Sequence, residues 1–384
     1  MSASPALIAA WVRSAVSPVG GAFRSLQAHE IGAPVLQALL QRAGLSPQAV
    51  DAVVIGNALG AGGNPARMLA LAAGLPDRCA ALSVDTQCCA GLDAIATAVG
   101  LLASGQASVV IAGGVEAWSR APLRHTRPLH AGDVPVAYER PAFAPDPARD
   151  PDLLESAADY AAQQGITRAQ QDAYALLSHQ RALQHQDFMC HEIVAINGPQ
   201  HDAYPRALTA ERAARMPVAV QRAGAADCAV STLAISTKAD GAALVLLATP
   251  QACKDLGLNP RAAWLASASV GGDPRTPLLA AALATQTALQ RGGMQSAADL
   301  QAIELHDAFA VQGLSFCQTL GLDPTAINRR GGGLARGHPI GASGAIALVR
   351  LLADLQHDEA PGARGLAAVA GAGGIGAAVL VARL

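Results

Sequence analysis

No Cys-x-x-Cys pair and no cysteine–histidine cluster at ligand spacing occurs in this sequence, so no metal site is expected. The seven cysteines read as reduced thiols of a cytoplasmic protein. A basic excess is missing too. The formal charge is −2, which leaves no electrostatic footprint for nucleic acid. The N-terminus shows no cationic segment followed by a long apolar stretch and a cleavage site, so no secretory signal is expected. Aromatic residues make up only 3%, and small side chains let helices pack closely on sheets. Residues 365–382 carry no charge, but glycines interrupt them. They read as two buried strands around a tight turn, not as a membrane helix. With 384 residues the chain is long enough to bury a large core and to form more than one domain.

Cys88 lies in SVDTQCCAGLDAIATA, which reads as a strand, a sharp turn and a helix. Val84 ends an apolar stretch, Cys88 to Gly91 supply small residues for the turn, and Leu92, Ile95 and Val99 recur at helical spacing. A thiol there would sit at a helix N-terminus, where unpaired N–H groups and the helix dipole favour thiolate. That is how a cysteine nucleophile for acyl transfer is built. A buried structural cysteine is the alternative.

Near the C-terminus, GGGLARGHPIGASGAIALVRLL places His338 in a Gly-rich turn before a helix. AIELHDAFA places His306 and Asp307 just past a short apolar strand. A cysteine with two histidines, each at the end of an apolar element, is a possible nucleophile–base–oxyanion set. For each histidine a solvated loop position is the alternative.

These segments resemble the thiolase family over nearly the whole chain. Gly56-Asn57 and Asn64-Pro65-Ala66-Arg67 stand where that family has GN and NPAR. VDTQCCAGL resembles its nucleophile motif, with Cys88 on the reactive cysteine. VVIAGGVEAWSRAP (109–122) resembles its AGG-x-E-x-MS strand, and GHPIGASG (337–344) matches its histidine motif. The resemblance implies an α/β fold of duplicated mixed sheets with helices in layers, plus an inserted loop domain. It places the N-terminal half at 1–117 and 225–255, the loop domain at 118–224 and the C-terminal half at 256–384. The sequence shows the same duplication: a small-residue turn, an Ala-rich helix, a polar loop and a glycine-containing apolar strand occur twice. The loop region has its own helical piece, with Thr167 as a plausible N-cap.

The resemblance also implies a covalent acyl-Cys88 intermediate, His338 as base, and an oxyanion site from the backbone N–H groups of Cys88 and Ala372. Ala370, Ala372 and Gly373 would form the opposite wall. A coenzyme A thioester would be the substrate, with no tightly bound cofactor. Ser236 matches a serine that lines the pantetheine arm, and Arg206, Arg212 and Arg215 are candidates for the nucleotide phosphates or plain surface charges. Asp152-Leu153-Leu154 replaces the family's His-Met-Gly segment. A homodimer or a dimer of dimers is expected, with no membrane partner.

Two departures bear on mechanism. Ordinary thiolases carry an acid/base cysteine near the C-terminus, where this chain has Ala370 in AGAGGIG. The sterol-carrier-protein type carries one where Ala308 stands. Cys317 lies downstream and is a weak substitute. What remains is Cys88, His306 and His338, a set that resembles decarboxylating ketoacyl synthases. Three readings stay open: a thiolase with altered proton transfer, a Cys-His-His enzyme using a pre-activated acceptor, and a weakly active or non-enzymatic subunit.

Overall fold

The computed structural model describes residues 6–60 and 62–384. The first half contributes strands β1 (Leu7–Ser14), β2 (Ala52–Gly56), β3 (Ala80–Val84), β4 (Val109–Ala117) and β5 (Ala239–Ala248). The second contributes β6 (Ala262–Gly271), β7 (Ala302–His306), β8 (Arg364–Gly371) and β9 (Ile375–Arg383). The helices that matter here are α1 (Ala28–Ala43), α2 (Pro65–Ala72), α3 (Ala90–Ala103), α4 (Leu153–Gln164), α5 (Arg168–Gln184), α6 (Ala280–Arg291), α7 (Ala310–Leu320) and α8 (Ser343–Asp358).

The two halves repeat one strand plan. In the first, β1 pairs antiparallel with β5, β5 antiparallel with β4, and β4 parallel with β2, which pairs parallel with the edge strand β3. In the second, β6 pairs antiparallel with β9, β9 antiparallel with β8, and β8 parallel with β7. A short β1–β6 contact, Leu7 with Ala263 and Ile8 with Ala262, joins them into one continuous sheet. β4 and β5 are buried along their whole length, as strands covered on both faces must be.

α3 and α8 lie between the halves. Leu92, Ile95 and Val99 share an apolar cluster with Ile346, Leu348 and Leu352, and with Val110 and Val369 from the two sheet regions. Alanines elsewhere on these helices allow the close approach. α1 covers the outer face of the first half, and α6 that of the second. The segment 365–382 forms β8, a tight turn and β9, as its glycines and missing charges require.

α4 and α5 come from the segment between the strands of the first half. Asp152 caps α4 by accepting from the N–H groups of Leu154 and Glu155, and Thr167 caps α5 in a capping box with Gln170. Ala157, Ala161, Tyr174 and Ala175 pack with Phe309, Ala310 and Leu334, which seats this segment over the end of β7. Buried ion pairs hold its far end. Glu192 Oε1 meets Arg13 Nε of β1 at 2.8 Å and Arg350 Nη1 of α8 at 2.7 Å, and Asp202 meets Arg13 Nη1 at 2.7 Å.

Candidate active site

β3 ends at Val84, and the chain turns sharply before α3 starts at Ala90. Gln87 takes φ +54°, the left-handed region that a non-glycine side chain rarely adopts. Asp85 Oδ1 steadies the turn by accepting from the Gln87 N–H at 3.0 Å. This strained turn presents Cys88, 7% exposed, to a pocket of about 470 Å³.

His338 comes from the turn before α8. Its Nε2 lies 3.1 Å from Cys88 Sγ and its Nδ1 lies 2.7 Å from Ser343 Oγ. The Ser343 hydroxyl donates its one proton to Pro339 O at 2.9 Å. Ser343 Oγ is therefore the acceptor toward Nδ1, which places the imidazole proton on Nδ1. Nε2 keeps its lone pair for the thiol. The thiol donates, and the imidazole is poised as base.

The charge state differs from the sequence expectation. Burial pushes the Cys88 thiol up to about 12, although the backbone N–H groups of Ala372 and Cys88 directed at the sulfur oppose that rise. Burial pushes His338 down to about 4. Desolvation opposes both charged forms and outweighs the helix terminus, favouring neutral thiol with neutral imidazole over thiolate with imidazolium. Cys88 is also not the thiol most open to solvent, since Cys190 is exposed.

His306 ends β7 with 1% exposure. Its ring stacks on His338, centroids 4.3 Å apart and planes 28° from parallel. A nucleophile–base–oxyanion set of Cys88, His306 and His338 implies that both histidines reach the sulfur. Among the described residues the side-chain partner of the Cys88 thiol is His338 Nε2, and His306 stands behind that ring. His306 Nε2 is buried without a hydrogen-bond partner among the described residues. Burial, then the neighbouring His338 and Arg336, hold its pKa well below the ordinary imidazole range.

Ala370, Gly371 and Ala372 line the pocket, and Ala308 lies in the same lining. Gly373 does not reach the lining. It sits in the β8–β9 turn, where an added Cβ would come within 3.1 Å of Phe143 O. Ser236 lines the pocket and spends its proton on Gly333 O at 2.6 Å. Cys317, on α7, faces the core at 1% exposure, and Cys89 Sγ faces Val369 O. Neither thiol lines the pocket.

Arg206, Arg212 and Arg215 are absent from the lining, and the Arg206 guanidinium lies over the Tyr204 ring. The cationic side chains in the lining are Arg124, Arg140 and Lys238. Arg124 and Arg140 stand in the segment after β4, and Lys238 directly precedes β5. The apolar wall comes from Trp118, Phe143, Leu153, Leu154, Ile235 and Phe309. Trp118 occupies the methionine position of the AGG-x-E-x-MS pattern, so the motif itself held that signal. A larger cleft of about 770 Å³ opens near Trp11, Arg42 and His357 and holds none of these reactive groups.

Residues 6–251 match the thiolase N-terminal domain and residues 258–383 the thiolase C-terminal domain. An acetyl-CoA acetyltransferase of Allochromatium vinosum is 36% identical over 386 residues, covering 97% of both chains. A probable acetyl-CoA acyltransferase of Staphylococcus aureus is 33% identical, covering 93% of this chain and 94% of that protein. The crystal structure of the Bacillus anthracis acetyl-CoA acetyltransferase superposes with a TM-score of 0.88 at 31% identity, over 100% of this chain and 99% of that one. The Acat5 thiolase of Ascaris suum, solved in complex with coenzyme A, gives 0.89 at 28% identity, over 99% of this chain and 100% of that one. Two family domains in sequence, covering nearly the whole length, place this chain in the thiolase family.

Proposed function

We propose that this chain is an acyl-CoA acyltransferase that works through a covalent acyl-Cys88 intermediate and forms or cleaves a 3-oxoacyl-CoA. The observation that carries this reading is the 3.1 Å contact between Cys88 Sγ and His338 Nε2 in the pocket floor. As the sulfur attacks the thioester carbonyl carbon, its proton passes to Nε2. The new carbon–sulfur bond forms, the coenzyme A thiolate departs, and that thiolate takes the proton from His338. The N–H groups of Cys88 and Ala372 suit the developing oxyanion. His306 holds the His338 ring by stacking, and its orphaned Nε2 makes it the candidate second donor. Arg124 supplies positive charge for an anionic thioester, Arg140 and Lys238 stand beside it paired with Asp150 and Glu139, and Ser236 lines its path. Coenzyme A enters as substrate, not as a resident cofactor.

The segment 118–224 acts as the cover of this pocket, since Trp118, Arg140, Phe143 and Leu153 reach its lining. A homodimer or dimer of dimers is supported by the exposed edge strand β3 and by Leu129, Val134 and Val136, each more than half exposed. Among the described residues no helix is long and apolar enough to cross a membrane.

A second reading has its own support. Ala370 and Ala308, the two positions at which the resemblance implies an acid/base cysteine in one or the other type of thiolase, both line the pocket. Condensation with a pre-activated acceptor needs no α-proton removed, so Cys88 with two histidines suffices. Intact-mass measurement after mixing with a panel of acyl-CoAs tests the shared first step. A protein that gains no acyl mass on Cys88 from any of them would end both readings. An acceptor screen on the acylated protein then separates them.

A further inference from the structure

The distance from Cys88 to His338 is set by two turns that are 250 residues apart in sequence. Something must hold those turns in register. The turn after His338 runs through Gly341, and its backbone lies against β4 so closely that a Cβ on Gly114 would collide with Gly341 O. The start of α3, just past Cys88, lies against β2 in the same way: a Cβ on Gly56 would collide with the Ala90 carbonyl. The loop after β2 therefore touches both turns. One side chain binds that loop and the histidine turn together.

That side chain is Glu116, on β4 and 1% exposed. Its Oε1 accepts from Asn57 Nδ2 at 2.9 Å. Its Oε2 accepts from the Ala58 N–H at 3.0 Å and from the Gly341 N–H at 3.0 Å. Asn57 Nδ2 also donates to Val115 O at 2.9 Å, and the Asn57 N–H donates to Val84 O at 3.0 Å, where β3 leads into the Cys88 turn. Every partner of the carboxyl is a donor. Burial pushes the Glu116 carboxyl up to about 7, opposed by the N–H groups of Ala58 and Gly341. The ionised form is an acceptor at both oxygens and satisfies every donor, and an amide would turn one donor against another.

We propose that Glu116 is a positioning residue, which locks the His338 turn to the loop after β2, against which the Cys88 turn packs. This inference rests on the Cys88–His338 reading of the site. Electrostatic activation is not its role. The Glu116 charge raises the Cys88 thiol further, which works against a thiolate. A buried carboxylate that opposes thiol ionisation yet sits at the junction of both turns acts through geometry. Misplacement of a reacting group by roughly 1 Å costs on the order of 10²-fold in rate.

The test is alkylation of Cys88 by iodoacetamide, followed by peptide mass mapping in the full-length protein, with exposed Cys190 as the internal reference thiol. Near neutral pH the reaction depends on His338 taking the thiol proton. In strongly alkaline buffer hydroxide removes it without help. Glu116→Gln should slow Cys88 alkylation about 10- to 100-fold near neutrality, with Cys190 unchanged, and the deficit should shrink in alkali. A wild-type rate near neutrality would overturn the proposal, as would a deficit of equal size at both pH values, which would mean a closed or collapsed pocket. If Glu116→Gln does not fold, Asn57→Ala decides. It should slow alkylation in the same pH-dependent sense by a smaller factor, and a wild-type rate there overturns the proposal. Alkylation needs no coenzyme A. A wild-type protein that alkylates but is never acylated by a thioester would remove the acyltransferase reading and leave this one standing.

Discussion

The imidazoles of His306 and His338 stack with centroids 4.3 Å apart. Two rings this close inside a buried site cannot both carry charge at moderate cost, because like charges at that separation repel strongly in a medium of low effective dielectric. Burial already holds both below the ordinary imidazole range. When His338 takes the Cys88 proton, His306 must therefore stay neutral. In the proposed acyl-Cys88 mechanism the pair acts as one base with a neutral partner, not as two independent bases.

Removing the base should separate it from that partner. His338→Ala should lower the single-turnover acylation rate of Cys88 by about 10²–10⁴-fold, the usual worth of a positioned acid/base group. His306→Phe keeps an aromatic ring behind His338 and removes the nitrogen. It should leave iodoacetamide alkylation of Cys88 close to wild type while lowering acylation by a thioester. Quenched-flow intact mass reads both. Equal losses in alkylation and acylation for His306→Phe would rule out a donor role for its nitrogen.

The buried ion pairs around Arg13 predict a stability change far from the pocket. Arg13 bonds both Glu192 and Asp202 with 0% exposure. Its removal leaves Asp202 without that guanidinium and Glu192 with Arg350. Arg13→Ala should destabilise the fold by about 3–5 kcal/mol, as expected when one member of a buried pair is deleted. Urea denaturation followed by circular dichroism measures it. A loss below about 1 kcal/mol, the range of exposed pairs, would mean that water reaches this cluster.

Stability should also depend on pH with two opposite signs. Burial holds His338 and His179 near 4. The unfolded chain binds more protons than the folded one below the ordinary 6.5, so their contribution is present above that value and lost as pH falls through about 4. Burial raises Glu304 to about 8, with Asp354 adding to the rise. There the folded chain holds the extra proton, so the contribution is present below the ordinary 4.5 and lost as pH rises through about 8. Glu304→Gln, neutral at every pH, should flatten the alkaline decline of the melting temperature. An unchanged alkaline slope would show that Glu304 is ionised in the folded state.

What the sequence made legible follows from how locally each signal is encoded. Cys88 and His338 stand in motifs whose glycines and small residues shape their own turns, so residue type and spacing announce them. Thr167 is equally local, because a capping box needs only four successive residues. The charge state of Cys88 was not local. The helix start is visible in sequence, but the desolvation that outweighs it comes from segments far along the chain. The cationic lining failed for the same reason. Arg206, Arg212 and Arg215 read as phosphate ligands or surface charges in a charge-rich stretch, and the fold brings Arg124, Arg140 and Lys238 to the pocket. Glu116 stood in a recognised motif, but its partners at Asn57, Ala58 and Gly341 emerge only when the two turns meet.

The missing acid/base thiol gives the riskiest expectation. Ala370 is 8% exposed and lies in the pocket lining with Ala308, and neither side chain transfers a proton. Cys317 and Cys89 are buried outside that lining. The unmodified protein should therefore acylate at Cys88 yet cleave acetoacetyl-CoA slowly with free coenzyme A. Ala370→Cys puts a thiol on the wall beside Ala372 and should raise that rate. The gain should stay below the full 10²–10⁴-fold worth of such a group, because a restored residue without its supporting shell is held loosely. The steady-state rate of the wild-type protein decides the matter. A turnover above about 10 per second, the typical enzyme median, would show that another group in this pocket already moves the α-proton. It would also remove the reason for a pre-activated acceptor.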